Sequence, residues 1–524
     1  MVNSAPNHMI WQVVILLLPL SMASAAMVDS GQVACYNNRG EIACADPDEP
    51  FFGQDGNYHS QQPSYQDLGD GTIFDQQTGL MWSKGVNRHK VSLAQAHHMA
   101  QQMNLGGHKD WRVPNIKELY SLIDFRGYTG FSHPRQRGGM GFGRHRQTQK
   151  PDLRQVPHNA IPFINTDYFD FRYGNTQIGE RYIDGQWLSR TEYVGTTMGG
   201  NRTLFGVNFA DGRIKGYGFY RPHGPRVAKT FYVRFVRGPR YGHHDFENHG
   251  DGTITDHKTG LMWAQQDSKR GMNWQAALAY AQNSILAGYE DWRLPNAKEL
   301  QYLVDYTRAP DVTNSAAIDP VFETSTLINE AGESDYPHFW TGTTHLDGPH
   351  PGGDAVYLAF GRAMGKMFGR IMDVHGAGAQ RGDPKVGKAK IGHGPQGDAR
   401  RTNNYVRLVR GGVNHTPPQK SDAHHYPNHI MVKTAEGLSP QQPGMSHQAF
   451  QPPMGTDRRG RSRRQGGFMA HWDRNQDGQV TQQEFTGPPA HFNRFDRNQD
   501  GIIAQDEVPH PPPRQHPSSS KTYY

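Results

Sequence analysis

Cysteine is almost absent from the sequence, with two residues, Cys35 and Cys44, in a chain of 524. Structural zinc sites that need three or four thiolates, and cysteine nucleophiles in the body of the chain, are therefore excluded. No long hydrophobic run follows residue 20, so we expect no transmembrane segment beyond the first residues. The 55 Lys and Arg barely exceed the 49 Asp and Glu, which gives no general case for binding nucleic acid.

Glycine and proline are abundant instead, at 60 and 35 residues, and aromatic residues reach 11%. This composition argues against both a helical bundle and a disordered chain, and it favours a turn-rich globular protein. The sequence contains no Ser-His-Asp order, no phosphate-binding loop and no His-Glu-x-x-His motif. We therefore name no catalytic residues and expect that the protein is not an enzyme.

The first 26 residues have the layout of a cleaved secretory signal, because an apolar stretch over 10–20 is followed by small residues ending at Ala25 and Ala26. An uncleaved anchor is the alternative. Export predicts a secreted, periplasmic or cell-surface location, where oxidation would favour a Cys35–Cys44 disulfide in the segment 27–66. The two cysteines could also be unrelated thiols.

A duplication organises the body of the chain. Residues 67–125 align with 248–306 without a gap, and 26 of the 59 positions are identical. Each copy also ends alike, in Tyr-Val-Arg-Phe-Val-Arg-Gly at 232–238 and Tyr-Val-Arg-Leu-Val-Arg-Gly at 405–411. We call these domains copy one (67–238) and copy two (248–411).

The pattern within each copy predicts an α+β fold. Asp70-Gly71 and Asp251-Gly252 are typical of hairpin turns. Helical spacing after Ser92 and Asn273 predicts a first helix, and the capping boxes Asn115/Glu118 and Asn296/Glu299 predict a second. Alternating aromatic and β-branched residues predict strands in the remainder.

The ordered motifs Gly-Asp-Gly-Thr, Thr-Gly-Leu-Met-Trp, Asp-Trp-Arg-x-Pro-x-x-Lys-Glu-Leu and Tyr-Val-Arg-x-Val-Arg-Gly resemble the bacterial Lcl C-terminal-domain-like family in both copies. The resemblance implies exported or surface proteins with a fold akin to C-type lectins. For the founding member it implies binding of sulfated polysaccharides. We interpret the shared tryptophans and arginines of these motifs as scaffold, with the arginines in ion pairs.

Basic residues gather where the copies differ, in inserts at 128–160 and 366–403. Such loops can neutralise the sulfate or carboxylate groups of a polysaccharide, although a merely solvated loop is the alternative. The candidate polyanion-binding residues are Arg135, Arg137, Arg144, Arg146, Lys385, Lys388, Lys390, Arg400 and Arg401.

The C-terminal region contains two sequences with the spacing of EF-hand calcium loops. The candidate Ca²⁺ ligands are Asp473, Asn475, Asp477, Gln479, Thr481 and Glu484 in one loop, and Asp496, Asn498, Asp500, Ile502 and Glu507 in the other. Val480 and Ile503 at position 8 should pair the loops through a short bridge. Because the loops begin 23 residues apart, the helices should be short and the calcium structural rather than regulatory.

The sequence thus predicts two C-type-lectin-like domains, a Pro- and Arg-rich linker (412–467), a small α-helical EF-hand pair (468–510) and a disordered tail (511–524). We interpret the chain as an exported calcium-binding protein that binds an acidic or sulfated polysaccharide or another envelope ligand. An enzyme acting on polysaccharide and a purely structural envelope protein are the alternatives.

Overall fold

The computed structural model describes residues 27–131, 153–221, 226–413, 428–434, 437–441, 479–481 and 502–504. The chain divides into two units, Met1–Phe450 and Gln451–Tyr524, which are described separately. The expected leader and tail lie outside the described residues.

The N-terminal segment forms a hairpin from strands β1 (Cys35–Tyr36) and β2 (Glu41–Ile42). A disulfide joins Cys35 to Cys44, with their Cα atoms 5.0 Å apart. The segment also holds the two copies together, because Gln32 Nε2 donates to the carbonyl oxygens of Phe125 in copy one and Thr344 in copy two.

Copy one contains two short helices and antiparallel strands. Its elements are β3 (Tyr65–Asp67), β4 (Thr72–Asp75), β5 (Met81–Ser83), α1 (Leu93–Gln102), α2 (Ile116–Ser121), β6 (Gln186–Glu192), β7 (Thr203–Asn208), β8 (Arg213–Gly218) and β9 (Val236–Arg237). The predicted helix starts are confirmed: Ser92 caps α1, and Asn115 and Glu118 form the capping box of α2.

Copy two repeats this plan and adds strands. Its elements are β10 (Phe246–Asn248), β11 (Thr253–Asp256), β12 (Leu261–Ala264), α3 (Trp274–Gln282), β13 (Ser284–Ile285), α4 (Ala297–Tyr302), α5 (Pro310–Thr313), β14 (Leu327–Ile328), β15 (Ser334–Asp335), β16 (His338–His345), β17 (Asp354–Ala359), β18 (Met364–Met367), β19 (Arg370–Asp373), β20 (Gln380–Pro384), β21 (Lys390–His393), β22 (Asp398–Arg400) and β23 (Val409–Arg410). Asn273 caps α3, and Asn296 with Glu299 forms the predicted capping box of α4.

The sheets show both the duplication and the joining of the copies. Copy one has a sheet in the order β3-β4-β5-β9, and copy two has the matching sheet β10-β11-β12-β23. A six-stranded sheet in the order β16-β17-β20-β8-β7-β6 runs through both copies, which meet where Gln380 of β20 pairs with Ile214 of β8. The copies therefore share one sheet.

Equivalent lysines also connect the copies. Lys298 on α4 donates from Nζ to the carbonyl oxygen of Ser121 at the end of α2, over 2.9 Å. Lys117 on α2 donates to the carbonyl oxygen of Gly242, between the copies, and its Nζ lies 5.1 Å from the ring centre of Tyr302 on α4. Burial lowers the pKa of Lys117 to about 7 and that of Lys298 to about 8.

The core confirms the predicted role of the motif tryptophans. Trp82, Trp111, Trp263 and Trp292 are all buried. Trp82 and Trp263 belong to the same large cluster, which contains residues from both copies and Met27. Burial of this shared apolar surface stabilises the two copies as one body.

Part of the expected linker is ordered and packed. Strands β24 (Met431–Thr434) and β25 (Gly437–Pro440) add to β13 of copy two in a three-stranded sheet. Ile430 is buried in the hydrophobic cluster of copy two. Residues 428–434 and 437–441 of the expected linker (412–467) are therefore ordered and packed against copy two.

The expected fold class is also wrong. Strand and bridge residues make up 32% of the described residues and helical residues only 11%, so the protein is β-rich rather than α+β with an EF-hand helix pair. The predicted helices of both copies exist, but each has ten residues or fewer. The described residues of the C-terminal unit form two strands, β26 (Gln479–Thr481) and β27 (Ile502–Ala504).

Candidate anion-binding site

The insert of copy two folds into a second sheet, in the order β19-β18-β22-β21. It lies in the chain between β17 and the end of copy two, interrupted by β20 of the shared sheet. In copy one the corresponding strands β7 and β8 are joined by a tight turn at 209–212. We call residues 364–400 the insert sheet region.

The exposed charged groups of the insert sheet region are all basic. Lys366, Arg370, Lys388 and Lys390 are exposed. The three acidic residues of this region, Asp373, Asp383 and Asp398, are instead between 1% and 8% exposed. Since charge at the surface decides long-range attraction, this region presents positive potential to solvent.

The buried acidic residues of the insert sheet region interact with other side chains of the protein. Asp398 forms an ion pair with Arg381, and its Oδ1 lies 2.9 Å from His375 Nε2. Burial opposes ionisation of Asp398, but Arg381 outweighs it and holds the pKa of this carboxyl well below its ordinary value. Burial raises the pKa of Asp373 and of Asp383 to about 7.

Three of the predicted polyanion-binding residues have structural partners instead. Lys385 is fully buried, and its Nζ donates to Thr344 Oγ1 over 2.9 Å and lies 3.7 Å from the ring centre of Trp274. Arg400 pairs with Asp354 and Arg401 with Glu330. Lys385 is thus removed from solvent, and Arg400 and Arg401 are partly buried in ion pairs with carboxylates from distant parts of the chain.

Two predicted residues, Lys388 and Lys390, do lie on the exposed basic surface. No carboxylate of the described residues is within ion-pair distance of either ammonium group. The other predicted residues, Arg135, Arg137, Arg144 and Arg146, lie outside the described residues.

A cavity of about 580 Å³ opens beside this sheet. Its polar lining comes from the tip of the disulfide hairpin, from the connection between β16 and β17, and from β21 and β22 of the insert sheet region. The lining residues are Asn38, Arg39, Asp347, Gly348, Pro349, His350, Gly353, Asp354, Val386, His393 and Arg400. Three segments far apart in sequence thus meet at one concave polar surface.

Both carboxylates that line the cavity already form ion pairs with arginines. Asp354 pairs with Arg400, and Asp347 pairs with Arg213 of copy one. Burial would raise the pKa of Asp347, but Arg213 holds it well below its ordinary value. Burial, followed by the charge of Arg400, lowers the pKa of His393.

Sequence reasoning missed this cavity, although one signal was present. The disulfide between Cys35 and Cys44 closes a hairpin whose tip carries Asn38 and Arg39. Binding residues lie disproportionately on loops that a rigid scaffold positions, and the disulfide fixes this turn. Its partners at 347–354 and 386–400 follow only from the folded chain.

The candidate calcium loops are described only at their central strands. β26 pairs antiparallel with β27, and Val480 faces Ile503, which confirms the predicted bridge. Both side chains are buried. Gln479, Thr481 and Ile502 lie in these strands, whereas the other candidate ligands, among them Asp473, Asp477, Asp496 and Asp500, lie outside the described residues.

Among the residues that the structure describes, no group of three His, Cys, Asp or Glu side chains is placed to hold a metal. No helix of the described part of the chain has the length and hydrophobicity to cross a membrane.

These observations define a class: a duplicated β-rich protein whose second copy carries a basic sheet and a polar cavity. The chain belongs to the Lcl C-terminal domain family, whose model matches residues 71–237 and 252–374. The two matched segments confirm the tandem organisation. Comparison with curated proteins and with solved structures found no match.

Proposed function

We propose that this protein is an exported binding protein that attaches to an anionic polysaccharide through the insert sheet region of copy two. Membership of the Lcl C-terminal domain family supports an extracellular or binding role. The observation that carries the proposal is the segregation of charge: Lys366, Arg370, Lys388 and Lys390 are exposed while every acidic residue of the region is buried.

The physical argument is electrostatic. A repeating polyanion meets several exposed cations together, so weak contacts of about 0–1 kcal/mol each add along one chain. Salt screens exposed charges over about 8 Å at physiological ionic strength, so the affinity should fall as salt rises. A polymer without charge should gain little from this surface.

The test compares two fourfold variants of the mature full chain on immobilised dextran sulfate, with neutral dextran as the uncharged reference. The face variant replaces Lys366, Arg370, Lys388 and Lys390 with Gln. The control variant makes the same charge change at exposed positions elsewhere, Arg88, Lys109, Arg190 and Arg240. We expect about tenfold weaker binding, roughly 1.4 kcal/mol, for the face variant only.

Equal losses in both variants would show that net charge alone acts, and would contradict the proposal. Binding that does not change with salt, or that is as strong to neutral dextran, would also contradict it.

We further propose that the C-terminal loops hold two structural Ca²⁺ ions. The pairing of Val480 with Ile503 supports this arrangement. Calorimetry on the mature full chain should show calcium uptake at millimolar levels or below, as for extracellular modules. The double variant Asp473→Asn/Asp496→Asn should lose it, and unchanged uptake in that variant would place the calcium elsewhere.

A further inference from the structure

Two residues that line the cavity beside the insert sheet region each carry a buried polar atom without a partner among the described residues. Asn38 Oδ1 and Arg400 Nε are both buried and have no hydrogen-bond partner among the described residues. An unpaired buried polar atom costs about 1–3 kcal/mol, so such atoms require an explanation. One is an acceptor and the other a donor, and both belong to residues that line the same cavity.

The charge balance of the cavity also leaves one cation without a counter-charge. Asp347 and Asp354 already pair with Arg213 and Arg400. Arg39 at the hairpin tip is exposed, and no carboxylate of the described residues lies within ion-pair distance of it. A ligand that carries a single negative charge would complete this balance.

We propose that the cavity binds one uronic acid residue of an anionic polysaccharide, an inference that rests on the proposed function and names the sugar unit it recognises. The sugar carboxylate pairs with the guanidinium groups of Arg39 and Arg400. The ring hydroxyls donate to the accessible carboxylate oxygens of Asp347 and Asp354.

The chemistry of the lining selects this class of ligand. A planar carboxylate matches the N–H fork of a guanidinium in a bidentate pair. Sugar hydroxyls donate to carboxylate and amide oxygens, which an inorganic anion cannot do. The volume of about 580 Å³ lies within the 300–1,000 Å³ typical of small-molecule sites.

The position of the cavity beside the insert sheet region also supports the assignment of a uronic acid site. Val386 and His393 belong to both the cavity lining and the insert sheet region, and Lys388 and Lys390 lie between them in the chain. A polysaccharide seated on the basic sheet could therefore place one sugar unit in the cavity. The cavity would supply selectivity for the sugar, and the sheet would supply charge attraction along the polymer.

The experiment measures binding of three small probes to the mature full chain by NMR titration: methyl glucuronide, methyl glucoside and methyl glucoside 6-sulfate. We expect millimolar binding of the glucuronide and at least fivefold weaker binding of the other two. Arg39→Gln should weaken glucuronide binding at least fivefold, because Arg39 is exposed and its loss should not unfold the chain. Arg88→Gln, at an exposed position in copy one, is the matched control.

The outcomes separate this inference from the proposed function. If the glucuronide does not bind, or binds no better than the neutral glucoside, the cavity assignment fails, while loss of dextran sulfate binding in the face variant would leave the proposed function intact. If the sulfated probe binds more tightly than the glucuronide, the carboxylate assignment is wrong. Equal effects of Arg39→Gln and Arg88→Gln would also overturn it.

Discussion

The two copies share their motifs but differ in what is inserted between their strands. In copy one, β7 and β8 are joined by a four-residue turn, whereas in copy two the chain from β17 to β20 includes the hairpin of β18 and β19. The motif residues of both copies are mostly buried and hold the scaffold. The exposed basic groups lie in the region added to copy two, and the added strands also supply one of the three segments that line the cavity. The difference between the copies therefore locates the candidate site.

The equivalent arginines of the Tyr-Val-Arg strands show how alike the scaffolds are. Arg234 and Arg407 are fully buried and donate to backbone carbonyls: those of Ser83, Lys84 and Asp170 in copy one, and those of Ala264, Gln265 and Glu323 in copy two. Burial lowers the pKa of Arg234 to about 9 and of Arg407 to about 10. The expectation that these two are ion-paired is wrong, because carbonyl oxygens replace carboxylates.

Replacing either arginine should have the largest effect on stability. Arg234→Met and Arg407→Met each remove three charge-assisted hydrogen bonds to backbone carbonyls, of which the one to Ser83 or Ala264 is fully buried. We therefore expect each to lose about 3–5 kcal/mol of unfolding free energy. Urea denaturation, monitored by tryptophan fluorescence, measures this loss of unfolding free energy. A loss in only one copy, or one below about 1 kcal/mol in both, would contradict the equivalence of the scaffolds.

The second prediction concerns a pair that the copies share but bury differently. Arg293 and Glu299 are each at most 2% exposed and form two hydrogen bonds of 2.7 Å, whereas Arg112, paired with Glu118, is 31% exposed. Arg293→Gln should cost about 3 kcal/mol or more, because it leaves a buried carboxylate uncompensated. Arg112→Gln should cost about 1 kcal/mol.

Urea denaturation of both variants measures this difference. Equal losses would show that burial of the motif pair does not distinguish the copies.

The third prediction uses pH to examine the insert of copy two. Burial raises the pKa of Asp383 to about 7, so the folded state holds a proton that the unfolded state releases above about pH 4. This group therefore reduces stability as pH rises from about 4 to 7. Asp383→Asn removes the effect and keeps an acceptor for Asn404 Nδ2, which now donates to Asp383 over 3.0 Å.

The variant should gain about 1–3 kcal/mol relative to the wild type between pH 4 and pH 8. Urea denaturation at the two pH values gives this difference. A difference that is independent of pH would show that Asp383 is ionised in the folded protein throughout this range.

The predictions from the sequence succeeded where the interactions are local and failed where they join distant parts of the chain. Capping boxes and Asp-Gly turns depend on neighbours within about four residues, so the starts of α2 and α4 could be predicted. The bridge between Val480 and Ile503 followed from loop spacing. The fold class failed because most strands are only two to four residues long and carry little alternating pattern.

The site could be predicted only in part. A basic insert was visible in the sequence, but the partners of Lys385 and Arg401 lie tens to hundreds of residues away. Composition cannot distinguish an exposed lysine such as Lys388 from a buried one three residues earlier. The disulfide hairpin was expected, whereas its meeting with Asp347 and Arg400 depends on packing.

Protection of lysines against acetylation tests most directly whether the insert of copy two is the binding surface. The mature full chain would be acetylated with and without dextran sulfate at low salt, and each lysine followed by peptide mass spectrometry. We predict that Lys366, Lys388 and Lys390 become at least threefold slower to react, while exposed Lys109 of copy one does not change. Protection of Lys109 with no protection of the three lysines of copy two would contradict the account.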